Sequence, residues 1–249
     1  MLEDAVGVPH RHHGYQTVGE NRAMSVALNG KNLTVALITR NEMGAVPKVI
    51  GDIRQAVRDA EILVVDSSTD STAEVARELG ARVIKQFPPR GYGPAMDLAL
   101  RSAGGQVVVT LDCDDTYPAE QIPYLARLVL EDGYDIVDGS RLASKPRAMP
   151  WVNYLGNFIF ALIASLLFLR RVRDLHSGMR AYRKSLIDEL EYRADGAALP
   201  VELLLRPIKM RKNLKIVNIE YRERIGQTKM RSLQTSWWTL RRILTVRFS

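Results

Sequence analysis

From Leu33 onward, short β-branched and apolar runs alternate with amphipathic stretches, and no other feature of the chain constrains the fold as much. Leu33–Thr39, Glu61–Val65, Ala81–Lys85, Val107–Leu111 and Tyr134–Val137 read as strands. Between them Ala45–Arg58, Ser71–Leu79, Gly93–Ser102 and Pro118–Leu130 read as helices. Strands joined through helices pair in parallel, because a helix is long enough to carry the chain back to the start of the next strand. The expectation is an α/β fold, a mostly parallel central sheet flanked by helices. At 249 residues, 46% of them hydrophobic, the chain can bury a core without cross-links. Its composition excludes a disordered tail, a collagen-like fibre and a multi-span membrane protein. The single cysteine, Cys113, excludes an intrachain disulfide and fits a reducing compartment.

Residues 1–32 lack periodicity and are rich in Gly, His and polar residues, so a flexible N-terminal segment is expected there. No apolar core of a secretory signal is present in it. His10, His12 and His13 lack acidic or cysteine companions and read as part of a tail rather than a metal tract; Met24 is an alternative start.

Open parallel sheets bind ligands beyond the carboxyl ends of their strands, which turns the strand list into a site list. Asn41-Glu42 follow the first strand, Asp66 to Thr72 the second, and Asp112-Cys113-Asp114-Asp115 the fourth. The first strand–helix turn has no GxGxxG, which argues against a dinucleotide-binding domain. Asp112 and Asp114 leave a strand as alternate residues and so face the same side, where both can hold one hard cation. They could equally form an acidic turn capping the helix near Pro118. Asp70 or Ser71 could cap the next helix, but capping hardly explains Asp66, whose carboxylate can accept bonds from a nucleoside. Arg90-Gly91-Tyr92-Gly93 precedes a helix; its N-terminus, with Arg90 and the freedom of Gly91, would favour a diphosphate, although an ordinary loop fits as well.

Taken in order, Asn41-Glu42, Asp66 to Asp70, Arg90 to Gly93, Asp112-Cys113-Asp114, Asp138-Gly139-Ser140-Arg141, Asp174 to Arg180 and Arg224 to Lys229 resemble the family 2 glycosyltransferases of the GT-A fold. Within them the chain looks most like the dolichyl- or polyprenyl-phosphate mannose and glucose synthases, over Leu33 to Leu244. It departs at Ile38, where the family usually has proline, at Met179, usually aromatic, and at Asp115-Thr116-Tyr117, usually a polar pair. The resemblance implies that Glu42 and Asp66 hold the nucleoside with Asp70 in support. It implies that Asp112 and Asp114 hold Mg2+ or Mn2+ on the donor diphosphate, and that Arg141, Ser177, Arg180, Arg224 and Lys229 address donor and acceptor phosphates. Asp114, Arg141 and Arg180 are the expected catalytic group. Isolated arginines such as Arg141 and Arg180 more often end in salt bridges.

Residues 148–169 form 22 residues without a charge, ending at Arg170-Arg171. A bilayer core needs about 20 apolar residues, but a crossing would put the Asp112–Asp114 pair and the Ser177–Arg180 motif on opposite sides. A helix over 147–170 lying in the interface fits better than a core helix. The catalytic domain is expected over 33–231, followed by an amphipathic helix over 232–249 with Leu233, Trp237, Leu240 and Leu244 on one face and Arg241, Arg242 and Arg247 beside it. That helix would either lie on anionic lipid or pack on the body. The net charge of +7 is uneven, with 12 Lys/Arg against two Glu from Arg206 to the end, which suggests an anionic partner there.

The function these features imply is inverting, metal-dependent transfer of a hexose from a nucleotide sugar to a polyprenyl phosphate. GDP-mannose is favoured over UDP-glucose, and the protein would lie peripherally on the cytoplasmic face of a membrane, with room for a membrane-protein partner. A phosphate monoester is already a nucleophilic anion at neutral pH; an alcohol acceptor would require a base, for which Glu202 is the candidate. The rival readings are a glycosyltransferase acting on a soluble or polysaccharide hydroxyl, and a non-catalytic basic membrane-binding module. Nucleic acid is excluded as a partner because the strand-exit acids would repel its phosphates.

Overall fold

A computed structural model describes residues 32–226 and 232–249. The His tract, Met24 and Lys229 lie outside the described residues.

Seven strands form one sheet: β1 Leu33–Thr39, β2 Glu61–Asp66, β3 Arg82–Lys85, β4 Val107–Thr110, β5 Ile136–Ser140, β6 Arg180–Arg183 and β7 Leu214–Asn218. Their order is β3-β2-β1-β4-β6-β5-β7, and every pairing is parallel except those of β6 with β4 and β5. The helices are α1 Val46–Ala56, α2 Thr72–Glu78, α3 Tyr92–Ser102, α4 Ile122–Leu130, α5 Trp151–Phe168, α6 Lys184–Glu189, α7 Leu199–Lys209 and α8 Ser232–Phe248. Proline opens the first turn of α1, α4 and α7, where its missing N–H would have no partner in any case.

Alternation along β1 divides the core. Val35 and Leu37 face a layer with Val46, Ile50 and Ile53 of α1 and Leu125 and Val129 of α4. Ala36 faces the opposite layer, with Met96, Ala99 and Leu100 of α3 and Leu203 and Leu204 of α7. All these side chains are essentially inaccessible to water. Strands β6 and β7 were not among the expected elements. β6 is four residues, Arg-Ala-Tyr-Arg, with no apolar run to mark it.

Helix α5 leaves the sheet after β5 and returns into β6, and these two strands pair directly, Asp138 opposite Arg180. It is about 27 Å long at 1.5 Å per residue, apolar enough to cross a membrane by length and composition, and only 11% buried. Trp151, Val152, Leu155, Phe158, Ile159, Leu162 and Leu166 all face outward. The anchor face expected on α8 needs dividing. Thr239, Ile243 and Val246 are fully buried against α5 and α7, so the helix packs on the body. Trp237, Leu244 and Phe248 nevertheless remain exposed. Beside α8 a cavity of about 350 Å³ is lined by Arg193, Trp238, Arg241 and Arg242 among others.

Candidate active site

The carboxyl ends of β1, β2 and β4 converge, as the strand list predicts. Thr39 and Asp66 sit opposite one another in register. Thr39 Oγ1 donates to Asp66 Oδ1 at 2.7 Å. Asn41 adopts a left-handed conformation, φ 55°, that asparagine tolerates better than most residues. Its side-chain carbonyl accepts the Thr69 N–H at 2.9 Å, and its own N–H donates to Ser68 Oγ at 2.7 Å. The Glu42 N–H donates to Thr72 Oγ1 at 3.0 Å. The first two strand exits are therefore stitched together by side chains.

Asp66 itself is fully buried. Beyond Thr39 it accepts Ser68 Oγ, the Ser68 N–H and Lys85 Nζ, the last at 2.6 Å. Burial alone would raise its pKa, but the bonds from Lys85, Ser68 and Thr39 hold it below the ordinary carboxylate value. Its acceptor positions are engaged within the protein, and Asp66 shapes the turn at which a nucleoside contact was expected. Asp70 accepts the N–H and hydroxyl of Thr72 on Oδ1 at the start of α2, a local turn bond.

Gly91, φ 99°, precedes α3, and Arg90 is exposed beside it. Gly93 sits so tightly on the carbonyls of Ala194 and Gly196 that a Cβ would come within 2.1 Å of the first. The loop before α7 thereby buttresses the helix start.

After β4, Asp112 presses on Gly178: a Cβ there would lie 2.7 Å from Asp112 Oδ2. Burial, then the negative charge of Asp114, push the Asp112 carboxyl up to about 7, against the opposing pull of Arg141 and Arg224, while Glu42 pushes in the same direction as Asp114. Asp114 accepts the Thr116 N–H and hydroxyl on Oδ1, and pairs with Arg224 Nη2 at 2.6 Å on Oδ2. Asp112 and Asp114 thus lie close enough to feel each other's charge, with Glu42 adding to it, an environment that suits a divalent cation. Among the described residues no group of three His, Cys, Asp or Glu side chains is placed to hold a metal ion. Asp112 and Asp114 are the groups that would hold Mg2+ or Mn2+, which commonly take one or two carboxylates and fill the rest with water and phosphate.

The segment after β7 folds back over this pair. The Arg222 N–H donates to the Thr116 carbonyl at 3.0 Å and the Ile225 N–H to the Asp114 carbonyl at 2.9 Å. Gly226 comes close to Glu42: a Cβ on it would lie 3.6 Å from Glu42 Oε2. Arg224 therefore reaches the expected site.

Arg141 lies at its edge. Nε and Nη2 make a two-pronged pair with Asp174 at 2.7 and 2.9 Å, and the guanidinium lies 5.1 Å from the Tyr221 ring centroid. Its field reaches Asp112, but its donors are largely engaged. Three other expected ligands are engaged within the protein. Arg180, 1% exposed, pairs with Asp138 at 2.6 Å and donates to the carbonyls of Pro200, Asp174 and Leu175. A guanidinium so enclosed braces the sheet. The buried Ser177 hydroxyl donates to the Gly139 carbonyl. Glu202, fully buried, pairs with Arg206 of α7 and Arg242 of α8.

Sequence reasoning missed Tyr117 and Tyr221. The Tyr117 hydroxyl accepts the Gly178 N–H at 2.7 Å, and its ring meets Tyr221 edge-on at 5.8 Å. With the Thr116–Asp114 bonds this accounts for the departure at Asp115-Thr116-Tyr117: the side chains clamp the carboxylate turn. Lys85 carried no signal beyond its charge, and Asp174 stood in the Asp174–Arg180 motif without a role assigned to it.

The chain is 44% identical over 200 residues to a dolichyl-phosphate hexose transferase of Haloferax volcanii, covering 80% of this chain and 86% of that one. It is 27% identical over 209 residues to an undecaprenyl-phosphate mannosyltransferase of Micrococcus luteus, covering 77% and 84%. Among solved structures, glucosyl-3-phosphoglycerate synthase of Mycobacterium tuberculosis, in complex with Mn2+, UDP-glucose and phosphoglyceric acid, superposes with a TM-score of 0.72 at 25% identity, covering 95% and 86%. The glycosyl transferase family 2 pattern matches residues 34–191, and with the carboxylate turn at the strand ends of a GT-A-type sheet this makes the chain a member of glycosyl transferase family 2.

Proposed function

We propose that this glycosyltransferase moves a hexose, mannose ahead of glucose, from a nucleotide sugar to a polyprenyl phosphate at the cytoplasmic face of a membrane, inverting the anomeric centre. The observation that carries the reading is the outward apolar face of α5, from Trp151 to Leu166, together with the exposed Trp237, Leu244 and Phe248 of α8. An exposed patch of this extent on a protein of this family suits a bilayer in which the acceptor's tail stays dissolved. The named activities of the Haloferax and Micrococcus relatives support it.

A divalent cation held by Asp112 and Asp114 would neutralise charge on the donor diphosphate. Arg224 supplies a guanidinium at the same place, suited to charge growing on the departing nucleoside diphosphate. Arg141 adds positive potential from its pair with Asp174, which holds it rigidly. The acceptor needs no side-chain base, since a phosphate monoester with a second pKa of about 6 is already an anion. The engagement of Glu202 with two arginines agrees with that economy.

A second reading has one observation in its favour: the Mycobacterium structure holds a small soluble acid with UDP-glucose. The deciding experiment incubates purified protein, Mn2+ and vesicles containing dolichyl phosphate with labelled GDP-mannose or UDP-glucose. Label extracted into organic solvent is expected. Label passing only to 3-phosphoglycerate or another water-soluble acceptor would overturn the lipid reading.

A further inference from the structure

His176 stands in the Asp174–Arg180 motif, yet nothing in the transfer chemistry uses it. Its ring spans two helices. Nδ1 lies 3.0 Å from Asn157 Oδ1 of α5, and Nε2 lies 2.8 Å from Thr239 Oγ1 of α8. The Phe160 ring meets it edge-on at 6.3 Å. Burial, reinforced by the cationic Arg141 and Arg180, lowers its pKa to about 4 against the pull of Asp174. At neutral pH the imidazole is uncharged, with one donor and one acceptor. Nδ1–H donates to the Asn157 side-chain carbonyl, and Nε2 accepts from the Thr239 hydroxyl. Both helices present the outward apolar faces, so the ring joins the pair at its inner side.

The other side of His176 is the carboxylate site. Its own N–H donates to Asp174 Oδ1 at 3.1 Å, and Asp174 fixes Arg141. Two residues on, Gly178 is the surface on which Asp112 rests. Any tilt of α5 against α8 must therefore move His176, and with it the short segment that backs the metal-holding carboxylate.

We propose that His176 is a positioning residue that couples seating of the α5–α8 apolar face on a bilayer to the placement of Asp112 and Arg141. This rests on the membrane reading above and goes beyond it, because it makes the lipid surface a regulator of site geometry as well as the place where acceptor is found. In the coupled protein, vesicle binding orders residues 174–180.

The test is hydrogen–deuterium exchange on the full chain with and without vesicles of phosphatidylcholine and phosphatidylglycerol, alongside a sedimentation assay of vesicle binding. In the wild-type protein, vesicles slow exchange in 174–180 by about fivefold, the low end of ordinary coupling between two sites. Thr239→Val and Asn157→Leu, which cut the ring's two helix bonds separately, still sediment with vesicles but lose that slowing. His176→Gln, which keeps a donor and an acceptor, restores part of what His176→Ala removes. In the transfer assay the same helix variants lower kcat without raising the donor KM. Equal slowing in all variants, or none in the wild-type protein despite binding, overturns the coupling and leaves the transferase reading standing. Failure to bind vesicles overturns both the coupling and the membrane reading.

Discussion

Arg224 Nη2 lies 2.6 Å from Asp114 Oδ2, so a guanidinium already occupies the charge position that a divalent cation would share. A cation held there would compete with the arginine for one carboxylate oxygen. Arg224→Ala should leave Mn2+ affinity unchanged or tighter in calorimetry while transfer falls by about 100-fold or more, the usual loss for a group that stabilises transition-state charge. Weakened Mn2+ binding with normal transfer would contradict this.

Asp112 sets a pH dependence. Its carboxyl is raised to about 7, chiefly by burial and by Asp114. Protons then compete with the cation, and Mn2+ affinity should fall by about tenfold per pH unit below that value, until a second group joins the titration. For the metal-free protein the sign is opposite. A raised folded-state pKa contributes stability that is fully present below the unfolded carboxylate value and is lost as pH rises through about 7. Asp112→Asn should flatten that part of the stability curve in thermal unfolding and abolish stabilisation by Mn2+.

Gly178→Ala inserts a methyl where Asp112 Oδ2 would be 2.7 Å away. Displacing the carboxylate by a fraction of an ångström to an ångström should lower kcat by about 100-fold, with far-ultraviolet circular dichroism unchanged. Normal turnover would mean that the contact is not needed for catalysis.

Glu202→Gln leaves Arg206 and Arg242 facing a neutral amide in a buried position. Breaking such a pair costs about 3 kcal/mol or more, readable in urea unfolding, and should loosen α8. If Glu202 were a base, the variant would instead remove the acidic limb of the pH–rate profile at unchanged stability.

Trp237→Ser with Leu244→Ser should weaken vesicle binding by about tenfold or more, since each removes an exposed apolar side chain. Truncating α8 altogether is a poorer test, because Ile243 and Val246 belong to the core.

The chain displayed its sheet openly. Every expected strand from Leu33 to Val137 overlaps an observed one, because each is a short apolar run bounded by turns. The carboxylate turn was legible for the same reason: Asp112 and Asp114 follow the most β-branched run. What remained hidden depended on distant partners. Arg180 and Arg224 look alike in sequence, yet one is enclosed by Asp138 and three carbonyls while the other reaches Asp114. Glu202 looked available because nothing local reveals Arg242, forty residues further on. The faces of α8 were mixed because Thr239, a polar residue, belongs to the buried one, where His176 meets it.

Helix α5 departs from β5 and comes back into its immediate neighbour β6. A loop anchored at adjacent points can lengthen, shorten or change its greasiness while the scaffold beneath stays put. Tolerance of that kind would let descendants of one donor-handling framework adapt to bilayers of differing thickness, or shed the lipid altogether, by rewriting a single excursion.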